Sequence, residues 1–524
     1  MNGKKDVAGN KVSAETKPED TPIRRADVWH GTELAGTITI AGKSPADWTW
    51  ESAGTLAAKT LENIPGEMPN MIRYLEPEGA LANILQNKGI PSEYIYNGIR
   101  FLSEITIGPE GFTPEGMTRD QHVHDLNDYG TDHAYTGAYH GPDSELTSDF
   151  ARAVERNYED PLLPKFSGAQ LKLPMNLSVD ENGAVLSSAT NSAFTHIVKF
   201  SEERGIQAAE WMGLELSERC GMPTAEKTLI PLEKRKDPAL AITRFDIREE
   251  DEPENIRYLI SDMANIAGIF PHTNFPPIAG KYGTPVEDLA HSLLEISSEP
   301  EKDARLFFKR IVFGYFARDM DMHLKNISVL KKADTETGEV TTRLAPTYDV
   351  VPTVIFPERV SRIEAATGKR VTDELFDYRL ALPVNGKYGR AYSDMGNEKH
   401  DITSEDFLPL ATALNIPEEE ALHIYAEMAD NCARNAIAIL DNPPAIIAND
   451  PESLYILHRA ATEIVEEVEN KTMEFYDDFD YDRRFYHNQQ TEFKDWYEKN
   501  ITPQRTTSED DTNTPHIGEP AAQL

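Results

Sequence analysis

The sequence predicts an α+β protein with a small β-rich lobe followed by a large helical lobe. Short apolar segments bounded by turn residues dominate residues 166–245, whereas apolar residues at helical spacing dominate from residue 254 onward. The sequence contains no repeat of fixed period, which argues against solenoids and propellers. At 524 residues the chain is too long for one core, so two or three domains are expected.

Composition divides the chain into five segments. Residues 1–24 and 503–524 are polar and lack periodicity, so we predict disordered tails. Residues 25–150 are predicted to form an N-terminal α+β subdomain that contains an insertion. Residues 151–250 would form the β-rich lobe and residues 251–502 the helical lobe.

The N-terminal subdomain is predicted to open with a β-hairpin over residues 26–40, turning at Gly31. Residues 75–105 carry apolar side chains at helical spacing. Residues 106–161 are rich in Gly, Asp, His and Tyr and are interpreted as a long loop or an insertion.

The β-rich lobe is predicted to contain strands on both sides of one helix. The helix covers residues 203–222 and stops at Gly221. The predicted strands are residues 171–173, 176–179, 184–186, 196–200, 228–230 and 240–245.

The helical lobe is predicted from apolar residues that recur every three or four positions. The predicted helices are residues 288–296, 301–316, 404–414, 417–440 and 451–476. A cleft between the lobes would have Lys199 on its β-rich side and Asp321 on its helical side.

The composition narrows the possible functions. The formal net charge of −37 would repel a nucleic-acid backbone, so strong direct nucleic-acid binding is not expected. No uncharged apolar run is long enough for a membrane span, and the N-terminus lacks the apolar core of a secretory signal. Cys220 and Cys432 stand alone, which indicates neither a disulfide framework nor a thiolate zinc site. We expect a cytoplasmic protein.

Asp321 and Asn326 carry the most functional information. They have the D-x-x-x-x-N spacing of a protein-kinase catalytic loop, in which the Asp accepts the proton of the attacking hydroxyl and the Asn binds Mg²⁺. The spacing alone is common by chance. A predicted hairpin over residues 327–330 and 341–345 would return Asp349 to Asn326, where two oxygen ligands can share a metal ion.

Several side chains are candidates for binding the phosphates of a nucleotide. Lys199 lies on an apolar strand, where an ammonium group is costly unless it meets an anion, although a lysine at a strand edge can also extend to solvent. Glu210 on the following helix is its natural partner. Three other acidic residues compete for that role, namely Glu203, Glu215 and Glu218.

A small-residue turn precedes the first strand of the β-rich lobe. Its backbone N–H groups could approach phosphate oxygens, but an ordinary surface turn explains the same pattern. The residues concerned are Ser167, Gly168, Ala169, Gln170 and Lys172.

Histidine offers two further possibilities. His323 and Lys325 interleave with Asp321 and Asn326, which would add donors near the phosphates, or His323 orients the loop. A second group has no tight metal-ligand spacing, so a zinc site there is the less favoured interpretation. It comprises His122, His124, His133 and His140 with Asp120, Asp125 and Asp132.

Six motifs occur in an order that resembles the HipA family of bacterial serine/threonine kinases, the toxin halves of HipBA-type toxin–antitoxin systems. They are S-G-A-Q-L-K, T-H-I-V-K, A-E-W, T-R-F-D, D-M-D-M-H-L-K-N and P-T-Y-D-V. The resemblance extends from about residue 165 to residue 353 and is weaker in the N-terminal subdomain.

The resemblance implies a two-lobed protein-kinase-like fold that binds ATP and Mg²⁺. Residues 167–172 would cover the phosphates and Lys199 would bind them, while Asp321 would be the catalytic base with His323 and Lys325 nearby. Asn326 and Asp349 would hold Mg²⁺. The adenine side of the site would involve Thr243, Arg244 and Phe245, with Tyr348 beside the metal ligand.

The resemblance also implies partners. Members of this family typically phosphorylate an aminoacyl-tRNA synthetase and are neutralised by a small helix-turn-helix antitoxin. Two departures stand out: Asp319 replaces a residue that is often uncharged and, being close to Asp321, could raise the pKa of one of these two carboxyl groups, and Ser167 stands near a self-phosphorylated position. A non-catalytic nucleotide-binding module and a kinase with another substrate remain the alternatives.

Overall fold

The computed structural model describes 17 stretches of the chain, and predictions for other residues, including Ser167 to Gln170 and the histidine-rich segment, lie outside them. The described residues are 24–41, 48–73, 99–100, 105–111, 113, 171–175, 177–179, 185–187, 195–200, 205–231, 238–248, 252–269, 285–356, 358–363, 370–375, 380–387 and 402–472.

The N-terminal subdomain is built on a five-stranded antiparallel sheet of order β3-β2-β1-β5-β4. Its strands are β1 (Arg24–His30), β2 (Glu33–Ile40), β3 (Thr49–Ser52), β4 (Ile99–Arg100) and β5 (Ile105–Pro109). The predicted hairpin is confirmed, and Gly31 in its turn has φ 60°, a conformation that glycine adopts at little cost. Two short helices, α1 (Leu56–Leu61) and α2 (Asn70–Arg73), accompany the sheet.

Two predictions in this subdomain are wrong. Ile99 lies in the segment with helical spacing, and residues 106–109 open the segment interpreted as a long loop or an insertion, but Ile99–Arg100 and Ile105–Pro109 are paired strands. Strand β5 also pairs with β1, and its Ile107 is fully buried. Short apolar runs do not distinguish helix from strand, and here pairing with β1 decides the outcome.

The β-rich lobe contains a four-stranded sheet of order β10-β11-β9-β6 and a separate hairpin of β7 and β8. Its strands are β6 (Leu171–Met175), β7 (Leu177–Val179), β8 (Val185–Ser187), β9 (His196–Phe200), β10 (Lys227–Ile230) and β11 (Ala239–Thr243). The predicted strands are confirmed, except that β11 ends at Thr243 and so excludes Arg244 and Phe245. Helix α3 (Ile206–Arg219) follows β9 and ends before Gly221, whose φ is 78°.

A three-stranded antiparallel sheet opens the helical lobe. The predicted hairpin is confirmed as β13 (Ser328–Asp334) and β14 (Val340–Leu344), and an unpredicted strand, β12 (Ile256–Asp262), pairs with β13. Strand β12 leads directly into helix α4 (Met263–Ala267), with Asp262 as the N-cap, so no turn residues separate the two elements in the sequence. A second unpredicted hairpin is formed by β15 (Glu358–Ile363) and β16 (Arg370–Leu375).

The remaining helices build the rest of this lobe, and the predicted ones are confirmed within the described residues. They are α5 (Val286–Ile296), α6 (Pro300–Phe316), α7 (Leu408–Ala413), α8 (Glu418–Asp441), α9 (Ala445–Ala448) and α10 (Pro451–Thr472). Helix α6 contributes Phe307, Phe308, Phe313 and Phe316, all fully buried, and burial of each side chain stabilises the lobe by roughly 1.5–3 kcal/mol. None of the helices in the described part of the chain is both long and apolar enough to cross a membrane.

The N-terminal subdomain docks on β12 and β13. Leu259 of β12 belongs to the hydrophobic core of the subdomain. Lys331 Nζ on β13 donates a hydrogen bond to the carbonyl of Thr60 at 2.8 Å, and Arg257 donates to the carbonyl of His30 at 2.8 Å. Strand β13 begins two residues after Asn326, so the sheet that supports this interface also supports the candidate catalytic loop.

Candidate active site

The loop that carries Asp321 begins where α6 ends. Arg318 adopts φ 60° at this end, and Asp319 N–H donates to Gly314 O at 3.0 Å while Arg318 N–H donates to Tyr315 O at 3.2 Å. This pair of hydrogen bonds is a Schellman motif, which reverses the chain and usually places glycine at the left-handed position. The reversal leaves the Asp321 side chain exposed.

Asn326 lies in a short 3₁₀ turn (Leu324–Asn326) between Asp321 and β13. Its Nδ2 donates a hydrogen bond to the carbonyl of Asp321 at 3.1 Å, and its side chain is largely buried. The two residues that the D-x-x-x-x-N spacing paired are therefore in direct contact. With Nδ2 held in this way, the amide Oδ1 of Asn326 is the atom that could face a metal ion.

Arg310 and Tyr348 bind backbone carbonyls of this loop. Arg310 Nη2 donates to the carbonyl of Asn326 at 2.5 Å, and its guanidinium lies 5.6 Å from the centre of the Tyr348 ring. The Tyr348 hydroxyl bonds with Ser328 Oγ at 2.5 Å and donates to the carbonyl of Lys325 at 2.8 Å. Because Tyr348 precedes Asp349, these contacts fix the position of Asp349 relative to that of Asn326.

Lys199 joins the two lobes. Its Nζ donates to Glu210 Oε1 on α3 at 2.5 Å and also forms an ion pair with Asp349 Oδ1. Lys199 and Glu210 are buried. Burial of a charge is costly unless it is paired, and here one ammonium group pairs with one oxygen of each of two carboxylates.

The pKa values follow from this geometry. Burial alone would lower the pKa of Lys199, but Asp349 and Glu210 outweigh it and raise that pKa. Burial would raise the pKa of Asp349, yet Lys199 and Lys172 lower it well below its usual range. The pKa of Glu210 is raised, because its complete burial outweighs the attraction of Lys199. The pKa shifts of the two partners of Lys199 therefore have opposite directions, and the ionised form is favoured at Asp349.

The competing partners for Lys199 are occupied elsewhere. Lys227 forms ion pairs with Glu215 at 2.9 Å and with Glu218, and Arg219 also binds Glu215 at 2.8 Å. Glu203 lies outside the described residues. The Lys199–Glu210 pair predicted from the order of the elements is present.

Lys172 and His323 complete the charged surroundings. Lys172 lies directly opposite Lys199 in the pairing of β6 with β9, and like charges in that position repel unless anions lie between them. Lys172 and His323 both act electrostatically on Asp349. The Lys325 side chain is half-buried, and its carbonyl accepts the Tyr348 hydrogen bond.

Asp319 adds a further carboxyl group to the site. It is completely buried, and its pKa is raised well above the usual value, first by burial and then by Asp321 and Asp349. Its Oδ1 is buried and has no hydrogen-bond partner among the described residues, and the same is true of Glu210 Oε2. The expectation that Asp319 would perturb a carboxyl pKa in this cluster is met at Asp319 itself.

These residues fit a divalent cation and a phosphorylated ligand. Glu210, Asp319, Asp321 and Asp349 exceed the nearby lysines in number, so a cation among the oxygens would reduce their repulsion. Asn326 and Asp349 offer the hard oxygen ligands that Mg²⁺ prefers, and substrate phosphates commonly complete such a site. Within the described residues, no cluster of three His, Cys, Asp or Glu side chains is arranged to hold a metal by itself.

The proposed adenine-binding segment is engaged in other contacts. Thr243 N–H donates to Glu226 O and Arg244 N–H donates to Thr195 O, both at 2.9 Å. The Arg244 guanidinium binds Asp246, while the Phe245 ring lies 6.0 Å from that of Tyr348. Neither of the two N–H groups can bind a base edge unless these hydrogen bonds break.

Sequence reasoning missed Arg310 and Ser328. Arg310 is an arginine in the middle of a helix, and such residues usually extend to solvent, whereas this one is buried beneath the loop. The apolar run that begins directly after it at Ile311 was the available signal. Ser328 at the start of β13 offered none.

Comparison with known proteins identifies relatives of this chain. The family model described as the HipA-like C-terminal domain matches residues 165–436. A Sinorhizobium fredii protein named "Putative kinase Y4mE" is 26% identical over 219 residues, which are 41% of this chain and 48% of that protein. A Haemophilus influenzae protein named "Putative kinase" is 24% identical over 239 residues, or 44% of this chain and 64% of that protein.

The chain spans only about half the length of the Sinorhizobium fredii relative. A chain in the solved complex of HipA, HipB and operator DNA from the Shewanella oneidensis MR-1 toxin–antitoxin system has a TM-score of 0.55 at 16% identity. That match covers 85% of this chain and 97% of the other, and it shows a shared fold. With more than half of its length matched by the family model, the chain belongs to the HipA-like family and has its two-lobed, kinase-like α+β fold.

Proposed function

We propose that the chain is an ATP-dependent serine/threonine protein kinase of HipA type. The Lys199 contact with both Glu210 and Asp349 is the observation that carries this proposal. It places the candidate phosphate-binding lysine beside a candidate metal ligand, with a fixed partner on α3. Such an arrangement is the one that phosphoryl transfer by a protein kinase requires.

Each side chain then has a defined task. Asp321, exposed at the loop, would accept the proton of the substrate hydroxyl, and Asn326 and Asp349 would hold Mg²⁺. Bound Mg²⁺ would neutralise charge on the ATP phosphates. Lys199 would orient those phosphates, with Lys172 and His323 as further positive groups beside Asp349.

The proposed substrate is a protein, such as an aminoacyl-tRNA synthetase or another translation component, and the proposed role is that of a growth-inhibiting toxin in the cytoplasm. A small helix-turn-helix antitoxin would be its partner. The similarity to a chain in a HipA–HipB–DNA complex supports this, because that protein assembles with HipB. A HipA-like kinase with another substrate is the second candidate.

Transfer of radiolabelled phosphate from ATP in the presence of Mg²⁺ tests the proposal. Asp321→Asn should abolish transfer without unfolding the chain, because the side chain is exposed. Asp288→Asn is a matched control, since Asp288 is exposed on α5 and has no part in the site. Transfer that is unaffected by Asp321→Asn would refute the proposed base.

Expression in bacteria separates the two roles. Growth arrest that Asp321→Asn relieves supports a toxin. Normal growth, together with phosphate transfer in vitro, would instead favour a kinase with another substrate.

A further inference from the structure

Helix α10 (Pro451–Thr472) contacts two helices that position residues of the candidate active site. It packs against α3, which carries Glu210, and against α6, which leads into the catalytic loop. The family match ends at residue 436, so α10 lies beyond it. The acidic residues of α10 have no role in the proposed phosphate transfer.

Glu467 on α10 reaches the start of the catalytic loop. Its Oε2 forms an ion pair with Arg318 Nη1 at 3.1 Å, and the side chains are only 16% and 8% exposed. Its Oε1 accepts a hydrogen bond from the Tyr315 hydroxyl. One carboxylate on α10 therefore contacts two residues at the end of α6.

Arg318 is an unusual residue for its backbone conformation. At φ 60° it occupies the left-handed position of the Schellman motif, where a side chain with a Cβ atom costs free energy that glycine does not. A favourable contact of the arginine side chain would offset this cost. Its buried contact with Glu467 is a specific interaction that glycine could not make.

We infer that Glu467 is a positioning residue for the catalytic loop, acting through Arg318. By holding Arg318, Glu467 fixes the Asp319 N–H bond to Gly314 O and thus the direction in which the loop leaves α6. Asp321 follows three residues after Arg318. The inference deepens the proposed kinase function and rests on it for its effect on catalysis.

The neighbouring charges supply a matched control. Glu463, one turn earlier, also lies near Arg318 and forms an ion pair with Arg459 at 3.4 Å. Glu466, the residue next to Glu467, is exposed. Glu466→Gln and Glu467→Gln therefore remove the same charge from the same helix, but the second variant removes the carboxylate that binds Arg318 and Tyr315.

Steady-state kinetics provide the first readout. Glu467→Gln should lower kcat by about 10- to 100-fold while the KM for ATP changes little, because a displaced base affects transfer more than nucleotide binding. Glu466→Gln should match the wild type. Equal kcat values for the two variants would overturn the inference.

Arg318→Gly provides a second, independent variant. Glycine accommodates φ 60° better than arginine, so a purely conformational role predicts unchanged or improved activity. Positioning through the ion pair instead predicts a loss of kcat similar to that of Glu467→Gln, and a double variant no worse than either single one. Wild-type kcat in Arg318→Gly would overturn the inference even if Glu467→Gln fails to fold.

Hydrogen exchange separates this inference from the proposed function. Amides of residues 314–326 should exchange about tenfold faster in Glu467→Gln than in Glu466→Gln, because the loop opens more often. This comparison needs no catalytic activity. If the wild type transfers no phosphate, the kinase proposal fails while the exchange result still decides whether Glu467 holds the loop.

Discussion

Lys199 and Asp349, which lie 150 residues apart in the sequence, form an ion pair where the β-rich lobe meets the helical lobe. Glu210 holds the same ammonium group from α3. The lysine is therefore shared between a structural partner and a candidate metal ligand. The balance between these two carboxylates should control how readily Asp349 is released to Mg²⁺.

Glu210→Gln tests this balance. Without the Glu210 charge, Lys199 should bind Asp349 more tightly and compete with Mg²⁺ for it. We expect phosphate transfer to fall by about 100-fold and the Mg²⁺ concentration for half-maximal activity to rise. A Mg²⁺ titration of the initial rate measures both effects.

Glu215→Gln is the control for this experiment, because Glu215 lies on the same helix but binds Lys227 and Arg219. It should keep the wild-type Mg²⁺ requirement. If Glu210→Gln also behaves like the wild type, Lys199 is not held in the way described.

Tyr348→Phe tests the support beneath the metal ligands. The variant removes the hydrogen bonds to Ser328 and Lys325 but keeps the ring over which Arg310 lies. Groups that orient metal ligands typically influence metal affinity, so the Mg²⁺ requirement should rise about tenfold. The measurement is Mg²⁺-dependent nucleotide binding by calorimetry.

Tyr258→Phe provides the comparison, since its hydroxyl donates to Glu252 at 2.6 Å away from the loop. Its nucleotide binding should be unchanged. A Tyr348→Phe protein with unaltered Mg²⁺ dependence would show that the hydroxyl does not position the ligands.

The sequence predicted some of these relationships and missed others for physical reasons. Lys199 and Glu210 lie on consecutive elements, and the strand-lysine and helix-glutamate pair of kinases favoured Glu210 over the other acidic residues of that helix. The hairpin of β13 and β14 could likewise be predicted, because turn residues separate two short apolar runs. Arg310 could not be placed beneath the loop, since its burial depends on how α6 packs in three dimensions.

Strand β12 illustrates a second limit. Residues 256–262 pair with β13, which is far away in the sequence, and no local signal distinguishes them from the start of the helix that follows. The end of β11 could not be located from the sequence either, because Arg244 leaves the strand and its side chain binds Asp246. Non-local pairing and side-chain contacts decide these boundaries.

Lys331→Met tests the interface between the N-terminal subdomain and β13. Burial lowers the pKa of Lys331 from 10.5 to about 8, so below pH 8 the folded protein bears the cost of a buried charge, and stability from this group increases between those two pH values. Methionine removes that cost but leaves the Thr60 carbonyl without its donor. We expect the free energy of unfolding at pH 7 to increase by about 1 kcal/mol.

Thermal unfolding of Lys331→Met and Lys332→Met provides the comparison. Lys332 is the adjacent residue on β13, but it is 42% exposed and pairs with Glu252. Its replacement should leave stability unchanged or slightly reduced. A lower unfolding temperature for Lys331→Met at pH 7 would contradict the assigned cost of burial.

Asp319→Asn tests the like-charge cluster. Since the folded-state pKa of Asp319 is raised above its ordinary value of 3.8, its ionisation destabilises the fold as pH rises above that value, until the folded-state pKa is reached. Asparagine cannot ionise. In metal-free buffer the variant should unfold at a higher temperature than the wild type at neutral pH, with a smaller difference in mild acid, and a pH-independent difference would argue against this origin.

Calorimetric titration of Mg²⁺ and ATP into the folded protein tests the central claim most directly, which is that Lys199 and Asp349 converge on a nucleotide–metal complex. The wild type should bind ATP with an affinity that rises with Mg²⁺, and Asp349→Asn should lose that Mg²⁺ dependence while remaining folded. A well-folded wild type that binds no ATP, or an Asp349→Asn variant with unchanged Mg²⁺ dependence, would contradict the account.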